Sequence, residues 1–129
     1  MTLREKVEAA LVKLSLSFRE AGPGTWVVSD EELGLEALVV QLADPLVILR
    51  THVMKVPPTG REKLFAELLR LNASDMAHGA YAVDGDSVII IDTLEADTMD
   101  LEELQASVDA IGLALAQHYR ALSAYRVKN

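Results

Sequence analysis

An apolar strand followed by a long amphipathic helix dominates residues 80–125 and most limits how this chain can fold. Asp84-Gly85 separates two apolar runs, which predicts a tight β-hairpin because both residue types tolerate the positive φ angles of its turn. In the second run, residues 87–92, apolar side chains would face both sides of a sheet, whereas a half-buried strand alternates with polar residues. We therefore predict that this strand lies inside its sheet with both faces covered.

The helix that follows is predicted from apolar residues that recur at steps of three and four. Asp100 and Glu103 have the spacing of a capping box, although Thr98 could also cap the start. The apolar stripe runs along about seven turns and consists of Leu101, Leu104, Val108, Ile111, Leu115, His118, Leu122 and Tyr125. Gly112 beside it would let a neighbouring backbone approach closely. The pattern predicts a helix packed on a sheet, with His118 partly buried.

The chain before the hairpin is predicted to form two helices and three strands. A capping-box spacing at Thr2 and Glu5 and an apolar face predict a first helix over residues 3–20, which Gly22 and Pro23 would end. The remaining elements are strands over residues 25–29, 36–43 and 46–55 and a second helix with a wide apolar arc over residues 64–71. The element order is therefore α-β-β-β-α-β-β-α, and the predicted class is α+β.

Composition excludes several classes of protein. The 129 residues fit a single domain, residues 1–129, and half of them are apolar, which argues against disorder. Cysteine is absent, so disulfides are excluded, and no apolar run reaches the ~18 residues of a membrane span. Met1 opens a charged helix start rather than a signal peptide, which predicts a cytoplasmic protein. The net charge of −8 and the scattered basic residues argue against direct binding to nucleic acid.

The polar residues do not predict catalysis or a cofactor. None of His52, His78 and His118 has a second ligand at helical spacing, so we predict no metal site. Asp84 and Asp86 lie at a turn between strands, whereas a calcium loop of the EF-hand type lies between helices. The sequence also lacks a phosphate-binding glycine loop and a nucleophile elbow. We therefore expect a protein that is not an enzyme and that binds no cofactor.

Two groups of residues are candidates for contact with a partner. Val12 and Leu16 form an apolar pair on the far side of the first helix, and they are either tolerated surface residues or a partner-facing patch. One face of the second and third predicted strands is mixed, and it carries Val39, Gln41, Ile48, Arg50 and His52. This face could be solvated, covered by a helix, or a binding surface, and His52 beside Arg50 could contact an acidic partner.

Residues 68–122 show a diffuse pattern of motifs. Residues 68–72 read leucine-leucine-x-x-asparagine at the end of the second helix, and a glycine and a strand follow over residues 79–84. Residues 87–94 form the apolar strand before the last helix, which begins its stripe at Leu101. This pattern and the order of elements resemble the CesT-like Tir chaperones of type III secretion and the related YbjN family. The likeness is detailed over more than half of the chain and concerns element order elsewhere.

The resemblance implies a five-stranded antiparallel sheet of order 1-2-3-5-4 packed with helices, and a homodimer. In this order the fourth strand lies at a sheet edge, and an uncovered edge invites pairing with another chain. We therefore expect residues 71–83 to contribute to the dimer interface, through Leu71, Ala80, Tyr81 and Val83.

The resemblance also implies a chaperone-like protein that holds a segment of a partner protein. A regulatory or scaffolding protein that binds a folded partner is the alternative, and a small-ligand or enzymatic domain is less favoured. An extended partner segment should pair with an edge strand over residues 25–29. The expected contacts are Val12, Leu16, Trp26, Val39, Gln41, Ile48, Arg50 and His52. The net charge of −8 favours partners with basic flanks.

Overall fold

A six-stranded antiparallel sheet forms the centre of the molecule, whose computed structural model describes residues 1–126. In chain order the elements are α1 (Leu3–Lys13), β1 (Ser17–Gly22), β2 (Thr25–Asp30), β3 (Leu35–Ala43), β4 (Leu46–Lys55), α2 (Arg61–Ser74), β5 (Ala80–Asp84), β6 (Ser87–Glu95) and α3 (Leu101–Ser123). The strand order is β1-β2-β3-β4-β6-β5. The predicted α+β class is confirmed. The five predicted strands keep their predicted order, and β1 is a sixth strand at the edge.

The first helix is shorter than predicted because the chain turns at Ser15. α1 ends at Lys13, and Ser15 has a left-handed φ of 58°, which does not fit inside a right-handed helix. β1 follows and pairs with β2. Leu14 and Phe18 are four residues apart, a spacing that brings side chains to the same face of either a helix or a strand. The apolar pattern alone therefore does not separate the two structures in this segment.

The predicted caps at the starts of the first and last helices are correct. Thr2 Oγ1 accepts a hydrogen bond from the Glu5 N–H at 3.1 Å, and the Glu5 carboxylate accepts one from the Thr2 N–H at 3.3 Å, which completes a capping box. Asp100 Oδ1 accepts a hydrogen bond from the Glu103 N–H at 2.8 Å. Asp100, and not Thr98, therefore begins α3.

All three helices bury residues against one side of the sheet, which we call the core face. In register across β2, β3 and β4, this face carries Trp26, Val40 and Leu49. These side chains form one cluster with buried residues of the helices, among them Leu11, Leu64, Leu68, Ile111 and Leu122. Burial of each such side chain contributes about 1.5–3 kcal/mol. The predicted stripe of α3 faces this core, except that Leu101 at its start is exposed.

Gly112 brings α3 close to the turn between β2 and β3. A Cβ built on Gly112 would lie 2.6 Å from the carbonyl oxygen of Leu33, which is well inside van der Waals contact. The predicted close approach of a neighbouring backbone is therefore confirmed, and that neighbour is the turn that contains Leu33.

Candidate functional site

The second side of the sheet, which we call the outer face, brings together five of the predicted partner-binding residues. One row across five strands consists of Val27, Val39, Arg50, Ile91 and Ala80 in register. The two adjacent rows consist of Thr25, Gln41, Ile48 and Thr93, and of His52, Ile89 and Ala82. The outer face therefore combines apolar side chains at its centre with a few polar and charged groups.

Within residues 1–126, helices do not cover the outer face. The buried residues of α1, α2 and α3 pack in the cluster of the core face, apart from the small or polar ones. Val27, Val39, Ile48 and Ile91 are half-buried and lie outside that cluster. Of the three possibilities that the sequence left open for the mixed strand face, cover by a helix is therefore wrong.

An ion pair crosses the outer face above β6. Arg50 Nη1 lies 3.2 Å from Asp84 Oδ2. Arg50 is opposite Ile91, and Asp84 is opposite Ser87, so the pair spans β6 at Ile89. Ile89 is only 7% exposed although it lies outside the core cluster. β6 thus lies inside the sheet as predicted, but helices within residues 1–126 do not cover its outer face, on which Ile89 is buried and Ile91 is half-buried.

Trp26 lies on the core face, so its predicted contact with a partner is wrong. Its side chain is fully buried and lies opposite Val40 in the register of β2 and β3. The predicted edge is also wrong, because β1 pairs with β2 and takes the outermost position. The error about the edge arises because the residues of β1 were assigned to the first helix.

Val12 and Leu16 do not form the predicted surface pair. Val12 lies in the last turn of α1 and is 61% exposed. Leu16 lies beyond the end of the helix and packs, half-buried, against the core cluster. Because α1 covers the core face, Val12 also lies on the opposite side of the sheet from the outer face. Only Val12 of this pair stays a candidate contact, and it belongs to a separate surface.

The second edge of the sheet is β5, as predicted, but a helix side chain occupies its centre. The Tyr81 N–H donates to Asn72 Oδ1 at 2.7 Å, and Asn72 Nδ2 donates to the Tyr81 carbonyl at 3.1 Å. The ring of Tyr81 is buried in the core cluster, with its hydroxyl 2.7 Å from His118 Nδ1. The predicted side-chain contact of Tyr81 with a second copy is therefore wrong.

Burial also changes the ionisation of Tyr81. Desolvation raises the pKa of Tyr81 to about 12. His118 is buried, as predicted for the stripe of α3, and its Nε2 lies 3.5 Å from Asp75 Oδ2 at the end of α2. The hydroxyl, the imidazole and the carboxylate thus join β5, α3 and α2 at one point.

Exposed apolar side chains flank the contact of Asn72 with the β5 edge. Leu69 lies one turn before Asn72 on α2 and is 68% exposed, and Val83 on β5 is 49% exposed. Of the other predicted dimer residues, Leu71 is half-buried and packs against the core, and Ala80 is half-buried on the outer face. Leu69 was not predicted, although its spacing of three residues from Asn72 places both on one side of α2.

The described residues do not bring acids and histidines together as metal ligands. Within residues 1–126 there is no group of three or more histidine, aspartate or glutamate side chains that could hold a metal ion. On the outer face, Arg50 and His52 lie among apolar and amide groups, and Arg50 is also paired with Asp84. This arrangement offers apolar contact and hydrogen bonds to a ligand.

Helices of the described residues are also too short or too polar to serve as membrane spans.

Comparison with known proteins identifies the family. The family model CesT_Tir_1 matches residues 2–128. No curated protein matches the chain.

Solved structures that share the fold include the following three. YbjN from E. coli aligns with a TM-score of 0.67 and 16% identity, over 91% of this chain and 91% of that chain. A chain of the ExoU–SpcU complex from the type III secretion system of Pseudomonas aeruginosa aligns with a TM-score of 0.68 and 16% identity, over 86% and 93%. A chain of the complex between the Yersinia pestis type III secretion chaperone SycH and a fragment of YscM2 aligns with a TM-score of 0.64 and 15% identity, over 90% and 98%.

Identities this low show a common fold only. The family match adds sequence information over nearly the whole chain. The resemblance to YbjN and to the type III secretion chaperones is thereby confirmed, and the chain belongs to the CesT_Tir_1 family.

Proposed function

We propose that the chain is a non-enzymatic, chaperone-like module that holds a segment of a partner protein and acts as a homodimer. The main observation behind this proposal is the outer face. It is a sheet surface with an apolar centre, in a chain whose described helices all pack on the opposite side. Contiguous apolar surface with a polar rim is typical of sites of protein–protein interaction.

The chemistry of the outer face suits an extended polypeptide. Val39 and Ile48 can contact apolar side chains, while Gln41 and His52, both exposed, can exchange hydrogen bonds with its main chain or polar side chains. An extended segment presents alternate side chains to one surface, which matches apolar contacts interrupted by polar ones. The charge of −8 favours a segment with basic flanks. The open edge available for strand addition is β1.

Relatives with the same fold support a protein partner. SpcU forms a heterodimeric complex with ExoU, SchA forms a chaperone–effector complex with HopA1, and SycH is seen with a fragment of YscM2. The alternative function is regulatory or scaffolding, with a folded domain as the partner. YbjN, a candidate transcription regulator, shares the fold, which is consistent with this alternative.

Site-specific crosslinking in the native host tests the proposal. A photo-crosslinking amino acid at Ile48 probes the outer face, and the same amino acid at Leu113 is the matched control. Leu113 is also apolar and is 56% exposed, but it lies on α3. We expect a covalent adduct with a partner protein from position 48 and little or none from position 113. Mass spectrometry of the adduct identifies the partner and the crosslinked segment.

Proteolysis of the captured complex distinguishes the segment-holding function from the scaffolding alternative. A held segment should become resistant to protease only in the complex, and a synthetic peptide of that segment should bind alone. A peptide that fails to bind, while the intact partner domain binds, supports the scaffolding alternative. Adducts from position 113 but not from position 48 would contradict an outer-face site.

A further inference from the structure

The sheet forks between β3 and β4. Pairing between these two strands ends at Leu38 opposite Thr51. Residues 35–37 of β3 still lie beside β2, and residues 52–55 of β4 still lie beside β6. Within the described residues 1–126, however, these two stretches do not pair with each other. We call the space between them the β3–β4 gap.

A β-bulge lies on each side of the β3–β4 gap. Relative to β2, β3 has one extra residue between Leu35 and Leu38, and relative to β6, β4 has one extra residue at Val53. If the register of β3 and β4 continued, Glu36 would lie opposite Val53, so the two bulges are at the same level. Bulges bend a strand and end its pairing, often beside functional sites. The gap is therefore a built feature of the sheet rather than a frayed strand end.

A contact with α3 fixes the start of β3 away from β4. The carbonyl oxygen of Leu33 would lie 2.6 Å from a Cβ built on Gly112, so the turn before β3 lies directly against α3. β3 begins at Leu35, two residues later. Because this contact exists in the unliganded chain, the gap does not depend on a partner to open it.

Side chains bond to a backbone carbonyl on each side of the β3–β4 gap. Thr51 Oγ1 donates to the Ala37 carbonyl at 3.1 Å, and Arg126 Nη2 donates to the Val53 carbonyl at 3.2 Å. A carbonyl oxygen has two lone pairs, so both can accept a further hydrogen bond. Neither bond satisfies a backbone N–H group. At the gap, the two strands thus offer main-chain hydrogen bonding that suits a further strand.

A cavity of about 1340 Å³ passes through the sheet at the β3–β4 gap. Its lining includes Ala37 of β3 and His52 of the outer face, both of which are exposed. On the other side of the sheet the lining includes Met54 and Leu115, which lie at the core. The cavity therefore has an apolar side beneath α3 and an open side on the outer face.

Charge gives the cavity little selectivity. Arg61 and Arg126 in its lining are offset by Glu36 and Asp86. Recognition in the β3–β4 gap therefore has to rest on the main chain and on the contrast between its apolar and open sides.

We propose that part of a partner segment enters the β3–β4 gap as an additional strand that hydrogen-bonds to β3 on one side and to β4 on the other. This inference rests on the proposed function and names the main-chain site of the held segment. Successive side chains of a strand point to opposite faces. The inserted part is therefore an uncharged stretch whose apolar residues alternate with polar ones, with the apolar side chains beneath α3 and the polar ones beside His52.

Backbone methylation of a probe peptide tests the insertion on the full chain. The probe is a short labelled peptide of alternating valine and threonine, and fluorescence anisotropy measures its affinity. Two further versions carry N-methyl groups on all valines or on all threonines. Successive N–H groups of a strand point to opposite sides, so a strand between two neighbours uses both sets. We expect each methylated version to bind about tenfold more weakly or worse.

The same three peptides distinguish insertion from addition at the open edge of β1. A strand added at an edge pairs on one side only, so only one of the two methylated versions would lose affinity. That result overturns the proposal. Equal affinity of all three peptides, or no binding of the unmodified peptide, also overturns it.

Hydrogen exchange locates the bound peptide. We expect slower exchange of backbone amides at residues 36–37 and 53–55 when the unmodified peptide is bound, and unchanged exchange in β1 (Ser17–Gly22). Protection of β1 without protection at the β3–β4 gap would contradict the insertion.

A blocking variant has a matched control on the same strand. Ala37 and Ala43 are both exposed alanines of β3, but only Ala37 lines the cavity. Ala37→Trp should abolish peptide binding, whereas Ala43→Trp should leave it unchanged, and thermal melts establish that both variants fold. Equal losses in two folded variants would contradict the site. If Ala37→Trp does not fold, the exchange pattern of the unmodified protein decides.

Failure of this inference is distinguishable from failure of the proposed function. Capture of a partner through Ile48 probes the outer face and does not require the β3–β4 gap. Capture at position 48 together with loss of affinity from only one methylated set would refute insertion and leave the proposed function intact. Absence of any adduct at position 48 would instead count against the outer-face site.

Discussion

Asn72 of α2 satisfies the N–H and the carbonyl of Tyr81 on β5, where a further strand would otherwise pair. The two hydrogen bonds measure 2.7 Å and 3.1 Å. Free N–H and C=O groups at a sheet edge invite pairing with another chain. Asn72 therefore closes the centre of this edge, and association on this side of the molecule has to use side chains.

Removal of the Asn72 amide should open this edge. In Asn72→Ala, the backbone groups of Tyr81 lose their partner beside a buried ring, which costs about 1–3 kcal/mol of unfolding free energy. Denaturant unfolding measures the loss, and light scattering should show more self-association. Ser74→Ala is the control, because its hydroxyl bonds only to Arg70 within the exposed end of α2. Equal stability and scattering in both variants would contradict a protective role.

Truncation of apolar side chains along α3 should destabilise the protein to different degrees, according to their burial. Ile111 is fully buried, so Ile111→Ala should cost about 2–5 kcal/mol of unfolding free energy. Leu115 is half-buried and lines an open cleft beside α3, so Leu115→Ala should cost clearly less. Urea denaturation compares the two variants. A larger loss at Leu115 would mean that the cleft is closed around it.

Gly112→Ala should destabilise the protein although alanine normally favours helices. The added methyl group would meet the Leu33 carbonyl oxygen at 2.6 Å, and relief of such overlap costs about 1–3 kcal/mol. Without that neighbour, the change would stabilise a helix by about 1 kcal/mol. The change in melting temperature therefore shows directly whether Gly112→Ala destabilises or stabilises the protein. A rise in melting temperature would contradict the contact.

Stability should fall at alkaline pH because of Tyr81. Its pKa is raised from 10.0 to about 12 in the folded protein, so above pH 10 the unfolded chain loses this proton first. The contribution is complete below pH 10 and is lost as the pH rises through 12, by about 2–3 kcal/mol in total. Denaturant unfolding between these values measures it. Tyr81→Phe should remove this part of the pH dependence, and an unchanged slope would contradict the assignment.

The proposed homodimer should depend on Leu69 and Val83. Both are large exposed apolar side chains on either side of the Asn72 contact, and their burial between two copies would favour association. Sedimentation velocity should show a dimer at micromolar concentration and a monomer for Leu69→Glu combined with Val83→Glu. Leu113→Glu, on α3, should leave the dimer intact. A monomeric unmodified protein would contradict the prediction.

Sequence patterns predicted the strands and faces of the sheet better than its edges. Alternation in β3 and β4 correctly placed Val39, Gln41, Ile48, Arg50 and His52 on one face, because the strand period of two fixes sidedness. It did not show which face the helices cover, since both carry apolar residues. Trp26 was assigned to the surface because burial depends on the register with β3, which no local pattern contains.

The failure to predict β1 has a local cause. The apolar spacing of residues 14–18 fits both the helical and the strand period, and only the left-handed backbone of Ser15 separates α1 from β1. Serine is not a strong signal for that conformation. The contact of Asn72 with the strand edge was equally hidden, because it joins residues nine positions apart through a side chain.

The turn at Ser15 also limits the distance between two surfaces that a partner could use. Ser17, at the start of the outermost strand, lies five positions after the exposed Val12, and five residue steps of extended chain span at most about 18 Å. A bound polypeptide needs only about six extended residues to reach from one to the other. A linear motif of that length is therefore long enough to contact the end of α1 and the open edge of β1 at the same time.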